Sequence, residues 1–124
     1  MRIFRFWVTM SSTQAHIGDR MRRRLNLSSD QLEAFCQRWK IAELAVFGSA
    51  LREDFDAESD IDLLVSFEAD AEWSLLDHVR MTHELEDMTG RGVDLMTRPS
   101  IEESRNWIRR KAILEAARPV YESR

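Results

Sequence analysis

Two aspartates one residue apart, Asp60 and Asp62, are the residues of this sequence whose type and spacing best suit catalysis. They open an apolar run, Leu63–Val65, that is typical of a β-strand. Because side chains alternate along a strand, both carboxylates should project from one face and repel each other. A cation between them removes that repulsion, and Mg²⁺ is the simplest choice because it prefers oxygen ligands. The pair therefore predicts a magnesium site.

A turn of small residues lies upstream of this pair. Gly48 and Ser49 follow a short apolar run, Leu44–Phe47, and ten residues separate Ser49 from Asp60. Glycine lets the backbone approach a ligand closely, and N–H groups at a helix start, with a serine hydroxyl, favour phosphate. A phosphate site beside paired metal-binding aspartates indicates phosphoryl or nucleotidyl transfer. The residues alone leave open a simple alternative, a strand ending in a polar loop with solvated aspartates.

The string that contains both features, FGSALREDFDAESDIDLLV from Phe47 to Val65, resembles the signature of the DNA polymerase β-like nucleotidyltransferase superfamily. It is most similar to the minimal nucleotidyltransferases, which are often found as antitoxins beside HEPN toxins. The Gly-Ser turn, its spacing to Asp60, the flanking strands and Ser59 carry the resemblance together, whereas a lone Asp-x-Asp would be weak. The resemblance begins at about residue 28 and does not extend to the residues before it.

The resemblance implies a set of three metal-binding and catalytic carboxylates. Asp60 and Asp62 would hold Mg²⁺, and a third carboxylate would arrive from a later strand. Asp94, in the predicted strand Val93–Thr97, is the matching residue, and it could also accept the proton of the acceptor hydroxyl. The alternative for Asp94 is an aspartate on an edge strand that faces water.

The resemblance also implies how a nucleotide is held. Gly48 and Ser49 would bind the β- and γ-phosphates of the donor. Arg52 matches an arginine that the family commonly has after Gly-Ser, and it would either touch a phosphate or hold the loop by pairing with a carboxylate such as Asp54. Glu53 departs from the family pattern, which usually has glycine at that position.

The reaction that the resemblance implies is transfer of NMP, as AMP from ATP, to a hydroxyl group with release of pyrophosphate. The family points to a tyrosine of a partner HEPN toxin as the acceptor, and so to an antitoxin that forms a hetero-oligomer. Two alternatives stay open. The protein could modify a small hydroxyl compound such as an aminoglycoside, or it could be a non-catalytic module that binds the toxin or senses a nucleotide.

Composition narrows the setting in which this chemistry would occur. The chain has 124 residues with 44% hydrophobic and 32% charged residues, which suits one soluble domain. Its net charge of −4 provides no general attraction for nucleic acid, so direct nucleic-acid binding is not expected. Cys36 is the single cysteine, which excludes an internal disulfide. With no signal peptide or membrane span recognised, we expect a cytoplasmic protein without membrane contact.

The pattern of apolar residues predicts an α/β (α+β) domain, a mixed sheet with helices packed mainly on one face. The resemblance implies that this domain has the polymerase β-like nucleotidyltransferase fold. We expect a poorly defined leader over residues 1–27 and the nucleotidyltransferase domain over residues 28–124. The predicted helices and strands are, in chain order, a helix from Ser29 to Lys40, strands Ile41–Phe47 and Asp60–Phe67, a helix from Trp73 or Ser74 to Thr89, a strand Val93–Thr97, a helix Ile101–Ala117 and a strand Pro119–Glu122.

Apolar spacing also predicts which helix faces are buried. In the helix that ends at Thr89, the predicted buried side includes Leu75, Leu76 and Val79. The last helix is predicted to carry Ile101, Ile108 and Ala112 on one side.

Overall fold

The computed structural model describes residues 20–48 and 59–123, and residues 20–24 begin it as a helical segment. All four predicted strands are present, and the first and third have the predicted bounds. The helices and strands that follow residue 24 are α1 (Ser29–Arg38), β1 (Ile41–Phe47), β2 (Ile61–Phe67), α2 (Leu75–Thr89), β3 (Val93–Thr97), α3 (Arg98–Glu102), α4 (Trp107–Ala116) and β4 (Arg118–Glu122).

The four strands form one mixed sheet in the order β3-β2-β1-β4. β1 is antiparallel to both β2 and β4, whereas β2 and β3 are parallel. A parallel pair needs a long crossover connection, and α2 supplies it between β2 and β3. The predicted mixed sheet is therefore confirmed, and β3 forms one of its edges.

The sheet has a larger core on one face and a smaller core on the other. Ile61, Leu63 and Val65 of β2 belong to the larger core, together with buried residues of α1 and α2. Leu64, which points the opposite way, packs with Ile101 and Ile113 from the two short helices α3 and α4. The helices thus cover mainly one face, and Asp62 shares the other face with Leu64 because β-strand side chains alternate.

Residues before position 28 contribute to the larger core. Met21, Leu25 and Leu27 are all buried within it. The domain boundary at residue 28 stays a prediction. Even so, these three side chains remove apolar surface from water and therefore help to stabilise the sheet.

Local sequence determines where α2 begins and ends. The Ser74 hydroxyl accepts from the Asp77 backbone N–H, and the Asp77 carboxylate accepts in return from the Ser74 N–H, which is a capping box. The hydrogen bond from the Ser74 N–H, with a second from the Ser74 hydroxyl, holds the pKa of the Asp77 carboxyl below its ordinary value. At the other end Gly90 adopts a left-handed conformation with φ 72°, which is typical of a glycine that ends a helix.

The predicted buried face of α2 was wrong in its first half. Leu75 is 81% exposed and Leu76 is 59% exposed, whereas the buried residues of α2 lie further along at Met81 and Leu85. The position one turn before Met81 is His78, which faces the sheet and contacts Leu95. A polar residue therefore occupies an inward position, and apolar spacing alone gave the wrong helix rotation.

The single predicted helix after β3 was also wrong. The chain forms α3 and α4 with a break between Glu102 and Trp107, and each helix has its own N-cap, Thr97 and Asn106. The break rotates the second helix, so Ile113 is buried and Ile108 is 65% exposed. Of the helices in the described ranges, none has the length and apolar character that a membrane span requires.

Candidate active site

Two of the predicted catalytic aspartates lie side by side on neighbouring strands. Asp62 of β2 and Asp94 of β3 are direct partners in the parallel register. They lie on the face of the sheet that carries the smaller core, with Asp62 half-buried and Asp94 exposed. The sequence separation of these residues is large, and the α2 crossover is what brings them together. A substrate on this face of the sheet could therefore contact both carboxylates.

Gly48 lies against Asp62 at the end of β1. The preceding residue, Phe47, is the register partner of Asp62, and Gly48 itself has φ 68°, a conformation that suits glycine. A Cβ atom placed on Gly48 would overlap Asp62 Oδ2. Glycine at this position thus permits the positive φ and also leaves room for the Asp62 carboxylate.

Asp60 lies just before β2 and approaches the other neighbouring strand. A Cβ atom placed on Gly92, which precedes β3, would be 2.5 Å from Asp60 Oδ1. The Ile61 N–H donates to the Gly92 carbonyl at 2.8 Å, which fixes this close approach of the two backbones. The carboxylates of Asp60 and Asp62 therefore lie against glycines on opposite sides of β2.

The loop between α2 and β3 holds the segment that carries Asp60. Arg91 Nη1 donates to the Ser59 carbonyl at 3.4 Å, and the Arg91 N–H donates to Thr89 Oγ1 at 3.3 Å. Thr89 is buried at the end of α2. The end of α2 is thus connected through Arg91 to the residue before Asp60.

α2 also contacts the free edge of β3 on either side of Asp94. The Val93 N–H donates to Glu86 Oε2 at 3.1 Å, and His78 Nε2 lies 2.8 Å from the Leu95 carbonyl oxygen. Sequence reasoning did not single out Glu86 or His78 as residues of this site. The bond partners are backbone groups, so no motif in the sequence could have revealed them.

The remaining predicted ligands, Ser49 and Arg52, lie outside the described residues. Within residues 20–48 and 59–123, no three His, Cys, Asp or Glu side chains are placed to hold a metal ion together. Mg²⁺ is usually bound by one or two carboxylates with substrate phosphates rather than by a complete protein cage. Adjacent carboxylates at Asp62 and Asp94, with oxygen as their donor atoms, fit that chemistry.

Cys36 takes no part in this site. It is buried in the larger core, and burial raises the pKa of its thiol far above the ordinary value. A thiol that stays protonated is a poor nucleophile. Cys36 is therefore a core residue.

Comparison with known proteins identifies a family for most of the chain. Residues 28–120 match the profile of the nucleotidyltransferase domain. A protein of Methanocaldococcus jannaschii, provisionally named as a protein adenylyltransferase, is 43% identical over 61 residues, which cover 49% of this chain and 63% of that protein. Protein adenylyltransferase MntA of Thermococcus cleftensis is 37% identical over 65 residues, covering 52% and 64%. The chain thus spans less than two thirds of the length of these curated relatives.

Solved structures resemble the fold over a longer part of the chain. A structure provisionally named as a minimal nucleotidyltransferase is 30% identical, with a TM-score of 0.56, and covers 81% of this chain and 92% of that one. A toxin–antitoxin crystal structure with AMP-PNP is 14% identical, with a TM-score of 0.58, and covers 79% and 76%. At that identity the second likeness concerns the fold alone.

Proposed function

Because this chain belongs to the nucleotidyltransferase domain family, which residues 28–120 match, we propose that it transfers NMP, as AMP from ATP, to a hydroxyl acceptor. The observation that carries the proposal is the pairing of Asp62 with Asp94 across β2 and β3. The close approach of Gly48 to Asp62 supports the proposal that this turn holds the triphosphate beside the carboxylates. Two relatives that are named as protein adenylyltransferases support the choice of AMP.

Each site residue has a role in this proposal. Asp60, Asp62 and Asp94 would hold Mg²⁺, which when bound would neutralise phosphate charge and lower the pKa of the acceptor hydroxyl. The backbone at Gly48 and the hydroxyl of Ser49 would hold the β- and γ-phosphates. Arg52 would touch a phosphate or hold its own loop.

The proposed reaction is an in-line displacement at the α-phosphorus. The acceptor oxygen forms a bond to that phosphorus, the bond to the oxygen that bridges to the β-phosphate breaks, and pyrophosphate leaves. Asp94 takes the proton of the attacking hydroxyl, since a neutral hydroxyl is a weak nucleophile. Asp94 is exposed, so an acceptor on a separate protein can reach it.

The proposed acceptor is a tyrosine of a HEPN-type toxin, and the protein would act as its antitoxin in the cytoplasm. A tyrosine side chain projects its hydroxyl away from its own backbone, which suits transfer to a macromolecule at an exposed carboxylate. Support for a toxin partner comes from the fold, which is shared with proteins crystallised as toxin–antitoxin pairs.

A second function, neutralisation of a partner by contact alone, is favoured by exposed apolar side chains. Four large hydrophobic residues are mostly exposed to solvent: Leu75 and Leu76 on α2, and Trp107 and Ile108 on α4. Contiguous apolar side chains on a surface often mark sites of protein contact, and each helix here exposes two neighbouring ones. Contact and AMP transfer are compatible, and the experiment below separates them.

The test is a labelling experiment with the full chain and a HEPN-type toxin as the partner. With α-labelled ATP and Mg²⁺, we expect label on a tyrosine of the toxin and release of pyrophosphate. Asp62→Asn and Asp94→Asn, checked for folding, should each abolish the label. A partner that is neutralised by wild type and by both variants without any label would overturn the transferase proposal in favour of contact.

A further inference from the structure

We propose that Glu86 and His78 are positioning residues for Asp94, an inference that rests on the proposed function of the site. They lie on α2, and neither is in the set of carboxylates that would contact a nucleotide. Each makes a hydrogen bond to the backbone of a residue directly beside Asp94. Together they hold the outer edge of β3 while β2 holds its inner edge.

The need for such anchors follows from the position of β3 in the sheet. β3 is an edge strand, so every second residue directs its N–H and C=O away from β2. The Gly92 carbonyl accepts from β2, so the groups that point outward belong to Val93 and Leu95. These are the two residues whose outward groups meet α2. Without α2, the strand segment that carries Asp94 would be held on one side alone.

The chemistry of the two anchors differs. The Glu86 carboxylate accepts from the Val93 N–H at 3.1 Å, and a carboxylate acceptor makes a stronger hydrogen bond than a neutral one. At His78, the partner is a carbonyl oxygen that can only accept, so Nε2 must carry a proton and donate. Both side chains are half-buried, which limits competition from water. One anchor precedes Asp94 and the other follows it.

Loss of an anchor should let Asp94 move relative to Asp62 without removing any group that binds the nucleotide. A misplacement of about 1 Å at a reacting group can cost roughly 10²-fold in rate. We therefore expect Glu86→Ala and His78→Leu each to lower kcat by roughly 10- to 10²-fold. The KM for MgATP should change little, because an interaction that acts on the reacting group alone affects kcat.

Conservative variants and matched controls separate positioning from general destabilisation. Glu86→Gln keeps an oxygen acceptor and His78→Gln keeps an N–H donor, so both should restore most of kcat. Asp87→Ala and His83→Leu change exposed residues of the same helix and should behave like wild type. All assays are run well below the Tm of each variant, so that lower stability does not appear as lower rate.

A readout that does not need activity tests the anchor itself. Amide hydrogen exchange at Val93 should be faster in Glu86→Ala than in wild type or Asp87→Ala, because its N–H loses its acceptor. If exchange is faster but wild type transfers no AMP, the anchor is right and the proposed function is wrong. If wild type transfers AMP while folded Glu86→Ala and His78→Leu keep the wild-type kcat, the positioning role is wrong. Because the two anchors are separate residues, His78→Leu still decides the question if Glu86→Ala does not fold.

Discussion

Replacing each of three glycines with alanine separates backbone strain from displacement of an aspartate. Gly48 has a positive φ, and a Cβ added to it would overlap Asp62. Gly90 has nearly the same φ, 72°, and an added Cβ would meet nothing within 4 Å. At Gly92 an added Cβ would meet Asp60, but φ is not positive. The series therefore contains both effects together and each effect alone.

The expected changes in the free energy of unfolding follow from the backbone. A left-handed conformation costs a residue with a Cβ roughly 1–2 kcal/mol more than it costs glycine. Gly48→Ala and Gly90→Ala should therefore each lose about that much stability. Gly92→Ala needs the Asp60 carboxylate to move by about 0.9 Å, from 2.5 Å to the 3.4 Å at which ordinary contact begins. The end of a side chain can move at low cost, so the free energy of unfolding of Gly92→Ala should change by about 0.5 kcal/mol or less.

The expected changes in activity follow a different order. A carboxylate displaced by about 1 Å at a reactive centre lowers the rate by roughly 10²-fold. Gly48→Ala should lose transfer activity because it displaces Asp62, and Gly92→Ala should lose it because it displaces Asp60. Gly90→Ala should keep the wild-type rate. Urea denaturation measures the first quantity, and transfer of label from α-labelled ATP measures the second.

Two outcomes would refute parts of this reasoning. If Gly90→Ala and Gly48→Ala lose equal stability and both keep full transfer, Asp62 does not act from the position that packs against Gly48. If Gly92→Ala keeps full transfer while Gly48→Ala loses it, Asp60 is dispensable and the metal-binding set is smaller than proposed.

Three further predictions test separate parts of the description. Asp94→Asn should keep most MgATP affinity by calorimetry and lose transfer by roughly 10²- to 10⁴-fold, as expected for loss of a general base; a wild-type rate would contradict the role. Because its pKa is raised by burial, Cys36 should resist alkylation by iodoacetamide at pH 8 in the folded protein and react on unfolding in urea; rapid native labelling would contradict its burial. Asp77 has a lowered pKa in the folded state, so its carboxylate stabilises the fold at pH values above its ordinary pKa of 3.8, and this contribution is lost as pH falls through the lower folded pKa. Asp77→Asn should therefore weaken the pH dependence of stability below about pH 4, as measured by urea midpoints. An unchanged acid profile would contradict the capping role.

Local sequence was enough to predict the strands and several helix ends. β1 and β3 have the predicted bounds because each is a short apolar run closed by a residue that cannot continue it, such as Gly48 after β1. The start of α2 at Ser74 and its end at Gly90 follow from capping groups that lie within a few residues of each other. Interactions of such short range depend little on the rest of the fold, so the sequence contains them nearly in full.

Helix rotation was less predictable, because it depends on what each helix packs against. Leu75 and Leu76 were expected to be buried, but Trp73 and Met81 pack on the core and His78 faces β3. A hydrophobic pattern assigns every polar side chain to the exposed face of a helix. His78 faces inward all the same, because it makes a hydrogen bond to a backbone group. That is why the pattern placed the wrong side of α2 against the sheet.

By itself, the sequence determined the family, since the Gly-Ser pair and the Asp60–Asp62 pair lie within the residues that match the nucleotidyltransferase domain. The resemblance also named Asp94 as the third carboxylate, but only the tertiary structure decided where Asp94 lies. The parallel register of β2 and β3 places Asp94 beside Asp62, and α2 holds the far edge of β3. The physical reason is range: a turn and its spacing are local properties, whereas strand pairing depends on a crossover helix whose packing involves the whole core.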